Sequence, residues 1–398
     1  MGVESSLSVV HIGREDAPQL FYGNLARTGF SPLEGLEALV PQGEQSNQEL
    51  LTRLTSVATT FFQGLTPEET NSFNGALTEG QSGISNQVGE NRSGKDGETV
   101  FSRRRVLLMI GREVPEGHPY EAFRKVHEGF FPATPLIPRV PELVTLAQQF
   151  LQRAEDLLLH HTEGLERVLE VLPGTFCREL AYGNTTLRLN WYPGVPSSER
   201  VSTRELRDVQ VRGYTIPHIP VMAVRHGETI VHNVVRTDPH TDVGLMTTLA
   251  QARRLYILDH QGNAIEVNTT LGQMVLNTAD LAEHFFTKNG KAGSLKPTMH
   301  WVGLHPDTSE KDRLSIVVFH HPQMKTVIGQ RDRLLEYAAQ SIYESLAARG
   351  RGYLSPERAL ELTRLIHDRL PTAEQTRRDI CDWEKSHGIN RLRRYMPN

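Results

Sequence analysis

Residues 238–249 read DPHTDVGLMTTL, and this stretch decides the fold that the sequence predicts. Its last six residues, GLMTTL, are apolar or Thr, which is typical of a buried strand. His240 and Asp242 stand two positions apart just before it, so in an extended chain their side chains share one face. Taken alone, the stretch fits a metal site at the end of a strand and a plain polar turn equally well.

The sequence on both sides of this stretch is typical of a β structure. From about residue 184, short strand-like runs follow one another, separated by Gly, Asn, Asp and Pro. They cover residues 185–193, 220–227, 244–250, 254–262, 264–268, 273–280 and 313–322. Strands this short and this closely spaced predict a barrel or a jelly roll. We therefore predict a mainly β fold, with helices flanking the core.

Helical patterns lie on either side of the β region. Apolar residues recur every three to four positions over 17–30, 46–63, 139–171, 332–350, 355–370 and 373–388. The chain thus divides into an N-terminal helical and mixed region (1–183), a jelly-roll core (184–325) and a C-terminal helical region (326–398). We expect the three regions to form one functional unit.

Three further segments suggest contacts with a substrate. Residues 78–99 are polar and rich in Gly, Ser and Asn, which predicts a long loop of the kind that often has a function. Residues 194–235 predict either a lid or an interface. Arg103, Arg104 and Arg105 precede the strand-like VLLMIG, where a solvated sheet edge is the commoner explanation and a contact with a substrate carboxylate the alternative.

Composition excludes several classes of protein. The 398 residues carry 43 basic and 47 acidic side chains, and this balance predicts no nucleic-acid or membrane partner. The only two cysteines, Cys177 and Cys381, exclude a disulfide framework and leave a Cys-rich zinc site without ligands. Neither a signal peptide nor a run of 18 apolar residues is visible, so we expect a protein of the reducing cytoplasm.

A metal site at His240 and Asp242 needs a third ligand, and His300 in KPTMHWVGLH is the best candidate. It stands in a strand-like segment, and strands distant in sequence can pair in a jelly roll. Two His and one carboxylate form the facial ligand set of non-haem Fe(II) oxygenases, which leaves metal positions open for oxygen and substrate. Among the 17 histidines, His305 is the alternative third ligand.

Arg313 and Ser315, in RLSIVVFHHP, form a second pattern. On a strand both side chains point to the same face. The guanidinium of Arg is a planar fork that binds a carboxylate through two hydrogen bonds, and the Ser hydroxyl can add a third. The pair predicts a receptor for the distal carboxylate of a keto acid or dicarboxylic acid whose other end chelates the metal.

With these residues in view, the chain resembles the 2-oxoglutarate/Fe(II)-dependent dioxygenases of the isopenicillin-N-synthase-like branch. The matching pieces occur in that family's order. They are GF (29–30), LRLNWYP (187–193), DPHTDVGLMTTLAQ (238–251), VLNTADLAEHFFTKNG (275–290), MHWV (299–302) and RLSIVVFHHP (313–322). The likeness covers most of the chain, is strongest from about 185 to 322, and implies a double-stranded β-helix as the jelly-roll core.

The resemblance also implies an activity and its residues. The Fe(II) ligands would be His240, Asp242 and His300. The 2-oxoglutarate pocket would include Arg313, Ser315, Tyr192 and Asn190. The implied reaction uses O2 to hydroxylate, desaturate, cyclise or epoxidise a small molecule, and we expect it to belong to natural-product or secondary metabolism. It converts 2-oxoglutarate to succinate and CO2.

Departures from the family pattern leave the substrate class open. The link between Tyr192 and His240 is long, the spacing from His300 to Arg313 is slightly long, and Trp301 stands where plant enzymes often have Arg. Two alternatives remain. One is an Fe(II) oxidase of the isopenicillin N synthase type, in which Arg313 would bind a substrate carboxylate and 2-oxoglutarate is not used. The other is a non-catalytic jelly-roll binding protein. The oligomeric state is not predicted.

The histidines and polar residues around these motifs receive simpler interpretations. Asn277 and Asp280 are expected only to build a turn. His320 and His321 are expected at the surface or beside the site.

Overall fold

Strands dominate the part of the chain that the computed structural model describes. Apart from single positions, that part comprises residues 7–66, 83–86, 91–92, 101–121, 140–201, 205–211, 214–286, 295–304, 310–323 and 371–396. Its helices are α1 (Ala17–Thr28), α2 (Asn47–Gln63), α3 (Pro141–Val168), α4 (Cys177–Leu180), α5 (Ala282–Phe285) and α6 (Ala373–Ser386).

The strands run in chain order from the N-terminal region into the core. The first nine are β1 (Val10–His11), β2 (Phe30–Glu34), β3 (Gly83–Asn86), β4 (Asn91–Arg92), β5 (Phe101–Arg103), β6 (Val106–Gly111), β7 (Thr186–Tyr192), β8 (Glu205–Val211) and β9 (Tyr214–His226). The others are β10 (Thr229–Val235), β11 (Thr237–His240), β12 (Met246–Ala250), β13 (Leu255–Leu258), β14 (Ala264–Val267), β15 (Met274–Thr278), β16 (His300–Val302) and β17 (Arg313–His320).

These strands form three sheets. The large sheet has eight strands in the order β1-β2-β15-β12-β17-β7-β6-β3, and the small sheet has four in the order β11-β16-β13-β14. The third sheet has five strands in the order β4-β5-β10-β9-β8. Two pairs of neighbours, β1–β2 and β5–β10, are parallel and the rest are antiparallel. The prediction of a mainly β fold with flanking helices is confirmed.

Strand β12, the apolar part of the opening stretch, lies in the middle of the large sheet. It pairs with β15 on one side and β17 on the other, and all five of its residues are buried. Met246 and Ala250 pack into the core beneath the helices, whereas Leu249 faces the interior between the sheets. Burial on both faces explains why its sequence is a nearly continuous apolar run.

Three helices cover the outer face of the large sheet. The apolar faces of α1, α2 and α3 meet there with the outward residues of the strands, and this cluster includes Phe21, Leu25, Leu54, Phe61, Phe150, Leu157, Leu189, Ile316 and Val318. Helix α2 begins at Ser46, whose hydroxyl accepts the Glu49 N–H while the Glu49 carboxylate accepts the Ser46 N–H. This reciprocal cap satisfies two backbone donors and fixes the start of the helix.

A second, smaller core fills one end of the space between the large and small sheets. It contains Phe30, Leu249, Leu255, Ile257, Val267, Val275, Val302 and Val317. The inner faces of β7 and of the first half of β17 are polar instead, since they carry Asn190, Arg313 and Ser315. The interior is therefore apolar at one end and polar at the other. A polar ligand can bind at the polar end.

The structure differs from the sequence prediction in the segment 78–99. Residues 83–86 and 91–92 form β3 and β4, so the prediction of a loop is wrong at these positions; the remainder of the segment lies outside the described residues. The strands arise because β6 and β5 offer free edges to a segment without a strand-like pattern. The pairing is long-range, so local composition does not reveal it.

Residues 194–235 contain β8, β9 and β10, which form most of the third sheet. Its apolar residues Val209, Ile216 and Val221 pack with Phe101 and Trp301. The segment is therefore an extension of the β structure, and its use as a lid or an interface remains a prediction.

The C-terminal prediction is resolved in part. The helix expected over 373–388 is observed as α6, whereas the one over 332–350 and nearly all of the one over 355–370 lie outside the described residues. The three-region division of the chain stays a prediction. No helix within the described ranges combines the length and the apolar character needed to cross a membrane.

Candidate metal centre

The small sheet brings His240 and His300 together. His240 is the last residue of β11, His300 is the first residue of β16, and the two are direct partners in the antiparallel pairing of these strands. Asp242 follows β11 by two residues, in the turn that leads to β12. Strand register thus places two imidazoles and a carboxylate, from positions distant in sequence, at one point between the sheets.

The three side chains point at one another with metal-binding geometry. Asp242 Oδ1 lies 3.7 Å from His240 Nε2 and 3.5 Å from His300 Nε2. The three ligand atoms all lie within 4.8 Å of one another, and within the described residues this is the one such cluster of three His, Cys or acidic side chains. A first-row metal bound at about 2.0–2.2 Å from each atom fits a triangle of this size.

Backbone carbonyls orient both imidazoles. The Nδ1 of His240 lies 2.7 Å from the carbonyl oxygen of Asp238, and the Nδ1 of His300 lies 3.0 Å from that of Thr298. Because a carbonyl only accepts, each Nδ1 carries the proton and donates it, which leaves the Nε2 lone pair free for a metal.

Asn277 orients the carboxylate. Its side-chain amide donates to Asp242 Oδ2 at 2.9 Å, so that Oδ1 faces the two imidazoles. The expectation that Asn277 only builds a turn is therefore wrong, whereas the backbone N–H of Asp280 does close the turn on the Asp242 carbonyl at 3.1 Å. The sequence held one signal of this role, the amide of Asn277 inside the mostly apolar run MVLNT. That run is a fully buried strand, and a buried amide requires a hydrogen-bond partner.

Two of the three consecutive arginines bind the protein itself. Arg103 grips the Asp238 carboxylate with Nε and Nη2, and Asp238 is the residue whose carbonyl orients His240. Arg104 donates to the carbonyl oxygens of Pro193 and Gly194. The structure thus shows Arg103 and Arg104 bound to the scaffold, and a contact of either residue with a substrate carboxylate stays a prediction.

Burial and mutual charge set the protonation of the triad. Burial, assisted by His300, lowers the pKa of His240 to about 3, so its imidazole is neutral near pH 7. Burial alone raises the pKa of Asp242, but His300, His240 and the Asn277 amide outweigh it and bring that pKa well below its usual range. Burial lowers and Asp242 raises the pKa of His300, and the net effect is a raised value. The site therefore holds a carboxylate that attracts positive charge.

The other predicted ligand residues lie on the large sheet. Arg313 on β17 is the register partner of Tyr192 on β7, and its guanidinium carbon lies 5.1 Å from the centre of the Tyr192 ring. The Tyr192 hydroxyl is bonded to Thr237 Oγ1 at 3.0 Å. All three guanidinium nitrogens of Arg313 are buried and have no hydrogen-bond partner within the described ranges. A cation buried in this way is costly unless an anion binds it.

Ser315 and Asn190 continue the same polar face. They are register partners on β17 and β7, two residues from Arg313 and Tyr192, and both are buried. The Asn190 side-chain oxygen is buried without a partner in the described structure. The four residues predicted for the co-substrate pocket thus lie together on one inner surface.

The remaining histidines near these motifs are now placed. His305 lies outside the described residues. His320 is fully buried, with Nε2 2.8 Å from the Thr248 hydroxyl, so a surface position for it is wrong. His321 is half-buried beside Gly244, where a Cβ would lie 2.9 Å from its ring.

Comparisons with known proteins bear on the fold. No protein-family model and no curated protein matches the chain. Among solved structures, a 2OG-Fe(II) oxygenase family protein from Caulobacter crescentus gives a TM-score of 0.61 at 19% identity, over 85% of this chain and 99% of its own. The full-length Neurospora crassa protein in complex with alpha-KG and thymine gives 0.59 at 17% identity, over 91% of this chain and 98% of its own.

A third structure is the 2-oxoglutarate binary complex of dioxygenase for auxin oxidation 1 from Arabidopsis thaliana. It gives a TM-score of 0.50 at 15% identity, over 81% of this chain and 96% of its own. This chain has the fold of these oxygenases. The predicted double-stranded β-helix core is thereby confirmed, with the large and small sheets as its two layers.

Proposed function

We propose that the protein is a non-haem Fe(II)/2-oxoglutarate-dependent oxygenase that oxidises a C–H bond of a small molecule. The observation that carries the proposal is the pairing of a preformed His-Asp-His cluster with the buried guanidinium of Arg313, which has no hydrogen-bond partner among the described residues, inside the same β core. A metal site alone fits many functions. A metal site with a separate receptor for a carboxylate fits a keto acid that chelates the metal.

The residues present suit these groups. Two imidazoles that present Nε2 and one carboxylate form the donor set that would hold Fe(II). The guanidinium of Arg313 would bind the distal carboxylate of 2-oxoglutarate, with a hydrogen bond from the Ser315 hydroxyl. The Tyr192 ring, held by Thr237, orients the guanidinium, and Asn190 offers its amide to the same pocket.

Bound Fe(II) supplies the activation of O2, coupled to decarboxylation of 2-oxoglutarate to succinate and CO2. The protein's part is to hold the iron on one face, to orient the keto acid between Arg313 and the iron, and to exclude water. The buried inner surfaces around the triad provide that exclusion.

The finer assignments belong to the same proposal. The sequence pieces in family order support the isopenicillin-N-synthase-like branch, hydroxylation as the ordinary outcome and a role in natural-product metabolism. The two widely separated cysteines support a reducing, cytoplasmic location. Fold relatives that bind thymine or are named for auxin oxidation support a small-molecule substrate.

Succinate production tests the proposal. Purified protein with Fe(II), 2-oxoglutarate and O2 should release succinate and consume O2. His240→Ala and Asp242→Ala should abolish both and should lose Fe(II) in a metal-content assay. His218→Ala, which removes an exposed histidine, is the control and should change neither. Full activity in the two ligand variants would refute the assignment, and no O2 uptake by the intact protein would favour the non-catalytic alternative.

The guanidinium of Arg313 is equally compatible with the oxidase alternative, because it would bind a substrate carboxylate in the same way. Anaerobic titration of the Fe(II) protein with 2-oxoglutarate separates the two. Chelation gives a metal-to-ligand charge-transfer band, and Arg313→Gln should weaken the affinity measured from that band by about tenfold or more. Absence of the band in the intact protein would favour the oxidase.

A further inference from the structure

A second guanidinium, that of Arg188, faces the interior from the same sheet as Arg313. Arg188 lies on β7, two residues before Asn190 and four before Tyr192, so the three share the inner face. Four steps along the strand, about 13 Å, separate it from the Arg313–Tyr192 pair. Its register partner on β17 is Val317, and its guanidinium carbon lies 4.6 Å from the centre of the Phe319 ring.

This guanidinium has no protein anion bound to it. Within the described structure no hydrogen bond or ion pair engages Arg188, and its Nε is buried without a partner. The contrast with Arg103 is direct, since Arg103 has the Asp238 carboxylate. The remaining contact is the face of Phe319, which offers a cation–π interaction but no hydrogen-bond acceptor.

The charges around Arg188 do not neutralise it. Burial and then Arg105 lower its pKa to about 10, with Arg103 acting in the same sense, while Asp242 raises it. His321 also faces it, but burial and Arg188 lower the pKa of His321 to about 4, so that imidazole is neutral near pH 7. Among the described residues, Asp242 is the one carboxylate that raises the pKa of Arg188, and a bound metal would take up its charge.

Arg188 and Arg313 occupy different positions on the inner face, and different groups act on them. The Asp242 carboxylate raises the pKa of Arg188, whereas burial lowers the pKa of Arg313 and the neighbouring Tyr192 hydroxyl opposes that effect. In the proposed function, a keto acid bound by the metal and by Arg313 would not need Arg188. Beside it, Phe319 and Met109 are half-buried and present apolar surface on the same inner face.

We infer that the substrate to be oxidised is itself a carboxylic acid, whose carboxylate binds Arg188 and whose apolar body packs on Phe319. That the bound acid is the substrate of an oxidation rests on the proposed function. That Arg188 binds a carboxylic acid does not depend on it. Two guanidiniums on the inner face of the large sheet thus serve two different acids, Arg313 the co-substrate and Arg188 the substrate. A guanidinium fork discriminates strongly between a carboxylate and a neutral group of the same shape.

Matched pairs of an acid and its primary amide test the inference. The probes are phenylacetate with phenylacetamide and octanoate with octanamide, titrated by calorimetry into the anaerobic Fe(II)/2-oxoglutarate protein and into the metal-free protein. In at least one pair, the acid should bind about tenfold or more tightly than its amide. Arg188→Gln should remove this preference, and Arg188→Lys should keep part of it because the charge remains.

The affinity for 2-oxoglutarate, read from the charge-transfer band, supplies the control. It should be unchanged in Arg188→Gln and reduced in Arg313→Gln. Equal binding of acids and amides, no binding of any acid, or a loss of 2-oxoglutarate affinity in Arg188→Gln would overturn the inference. Failure of the proposed function is a separate result, because it removes the band from the intact protein but leaves the acid preference of the metal-free protein measurable.

Discussion

At the scale of single residues, the metal centre depends on partners that bind no metal themselves. Each ligand has one group that orients it: the Asp238 carbonyl for His240, the Thr298 carbonyl for His300 and the Asn277 amide for Asp242. Such groups reduce the freedom of the ligand in the metal-free state, so they raise metal affinity without touching the ion.

Asn277→Leu tests this role. The substitution removes the donor to Asp242 Oδ2 at similar volume, so the carboxylate can rotate and one of its oxygens loses its partner. We expect affinity for Mn(II), followed by electron paramagnetic resonance as a stand-in for Fe(II), to fall about 10- to 100-fold. The circular dichroism spectrum should show the fold retained.

Asn268→Leu is the matched control, since Asn268 is an exposed amide bonded to Glu266 and should leave metal affinity unchanged. Equal Mn(II) affinity in Asn277→Leu and in the unaltered protein would show that the Asn277–Asp242 hydrogen bond does not position the ligand.

At the scale of elements, one residue joins helix α1 to strand β2. Gly29 follows Thr28 at the end of the helix and adopts φ 68°, in the left-handed region. A Cβ at this position would lie 2.0 Å from the Thr298 hydroxyl oxygen. This close approach matters for the metal site because both neighbours of Gly29 contact His300. The Thr298 carbonyl orients the His300 imidazole, and the Phe30 ring packs edge-on against it with 5.5 Å between the ring centres.

Gly29→Ala should therefore reduce both stability and metal affinity. Left-handed backbone costs a non-glycine residue about 1–2 kcal/mol, and the collision with Thr298 adds to it. We expect a loss of about 3 kcal/mol in the free energy of unfolding, measured by urea denaturation, together with weaker Mn(II) binding.

Gly43→Ala isolates the collision. Gly43 also has a positive φ, 86°, but a Cβ there meets nothing within 4 Å. Its substitution should show the backbone cost alone and leave Mn(II) binding intact. Equal losses in the two variants would mean that the contact between Gly29 and Thr298 has no effect.

At the scale of the whole molecule, buried histidines make stability depend on pH. His161 on α3 is buried against Phe21, with ring centres 4.4 Å apart, and its Nε2 has no partner among the described residues. Burial, with a contribution from His160, lowers the pKa of His161 to about 3. Because an unfolded histidine titrates near 6.5, the unfolded state binds more protons below that pH, and stability falls as the pH drops from about 6.5 towards 3.

His161→Phe should weaken this dependence. Replacing the imidazole with an apolar ring removes one group that favours the unfolded state in acid. Between pH 8 and pH 5, the free energy of unfolding of the metal-free protein should fall by about 2 kcal/mol less in the variant than in the unaltered protein. Urea denaturation at pH 5, 6, 7 and 8 measures the difference.

His218→Phe changes an exposed histidine instead and should leave the pH dependence as it is. His118 and His320, whose pKa values burial lowers to about 4 and about 3, remain in both variants, so some dependence persists. Parallel curves for His161→Phe and the unaltered protein would contradict the prediction.

Local patterns were enough for the elements that bear the site. The alternation in TLRLNWY and RLSIVVFH, the apolar run after Asp242 and the helical spacing of α1, α2 and α3 all depend on residues close in sequence. Helix ends at Ser46 and Gly29 follow from caps of a few residues. Such features are visible in one sequence because the interactions that produce them are local.

The tertiary structure alone decided which distant groups meet. Strand pairing and register placed His300, and no other described histidine, opposite His240. The fold also brought the Asn277 amide to the Asp242 carboxylate and the Asp238 carboxylate to Arg103, and it paired residues 83–86 with β6 as a strand. It also left Arg188 facing the interior with no bound anion in the described part of the chain. The sequence by itself determined the chemical types available and the face each takes on its strand. Which of them become partners depends on contacts between strands far apart in the chain, and these are fixed only when the whole core is packed.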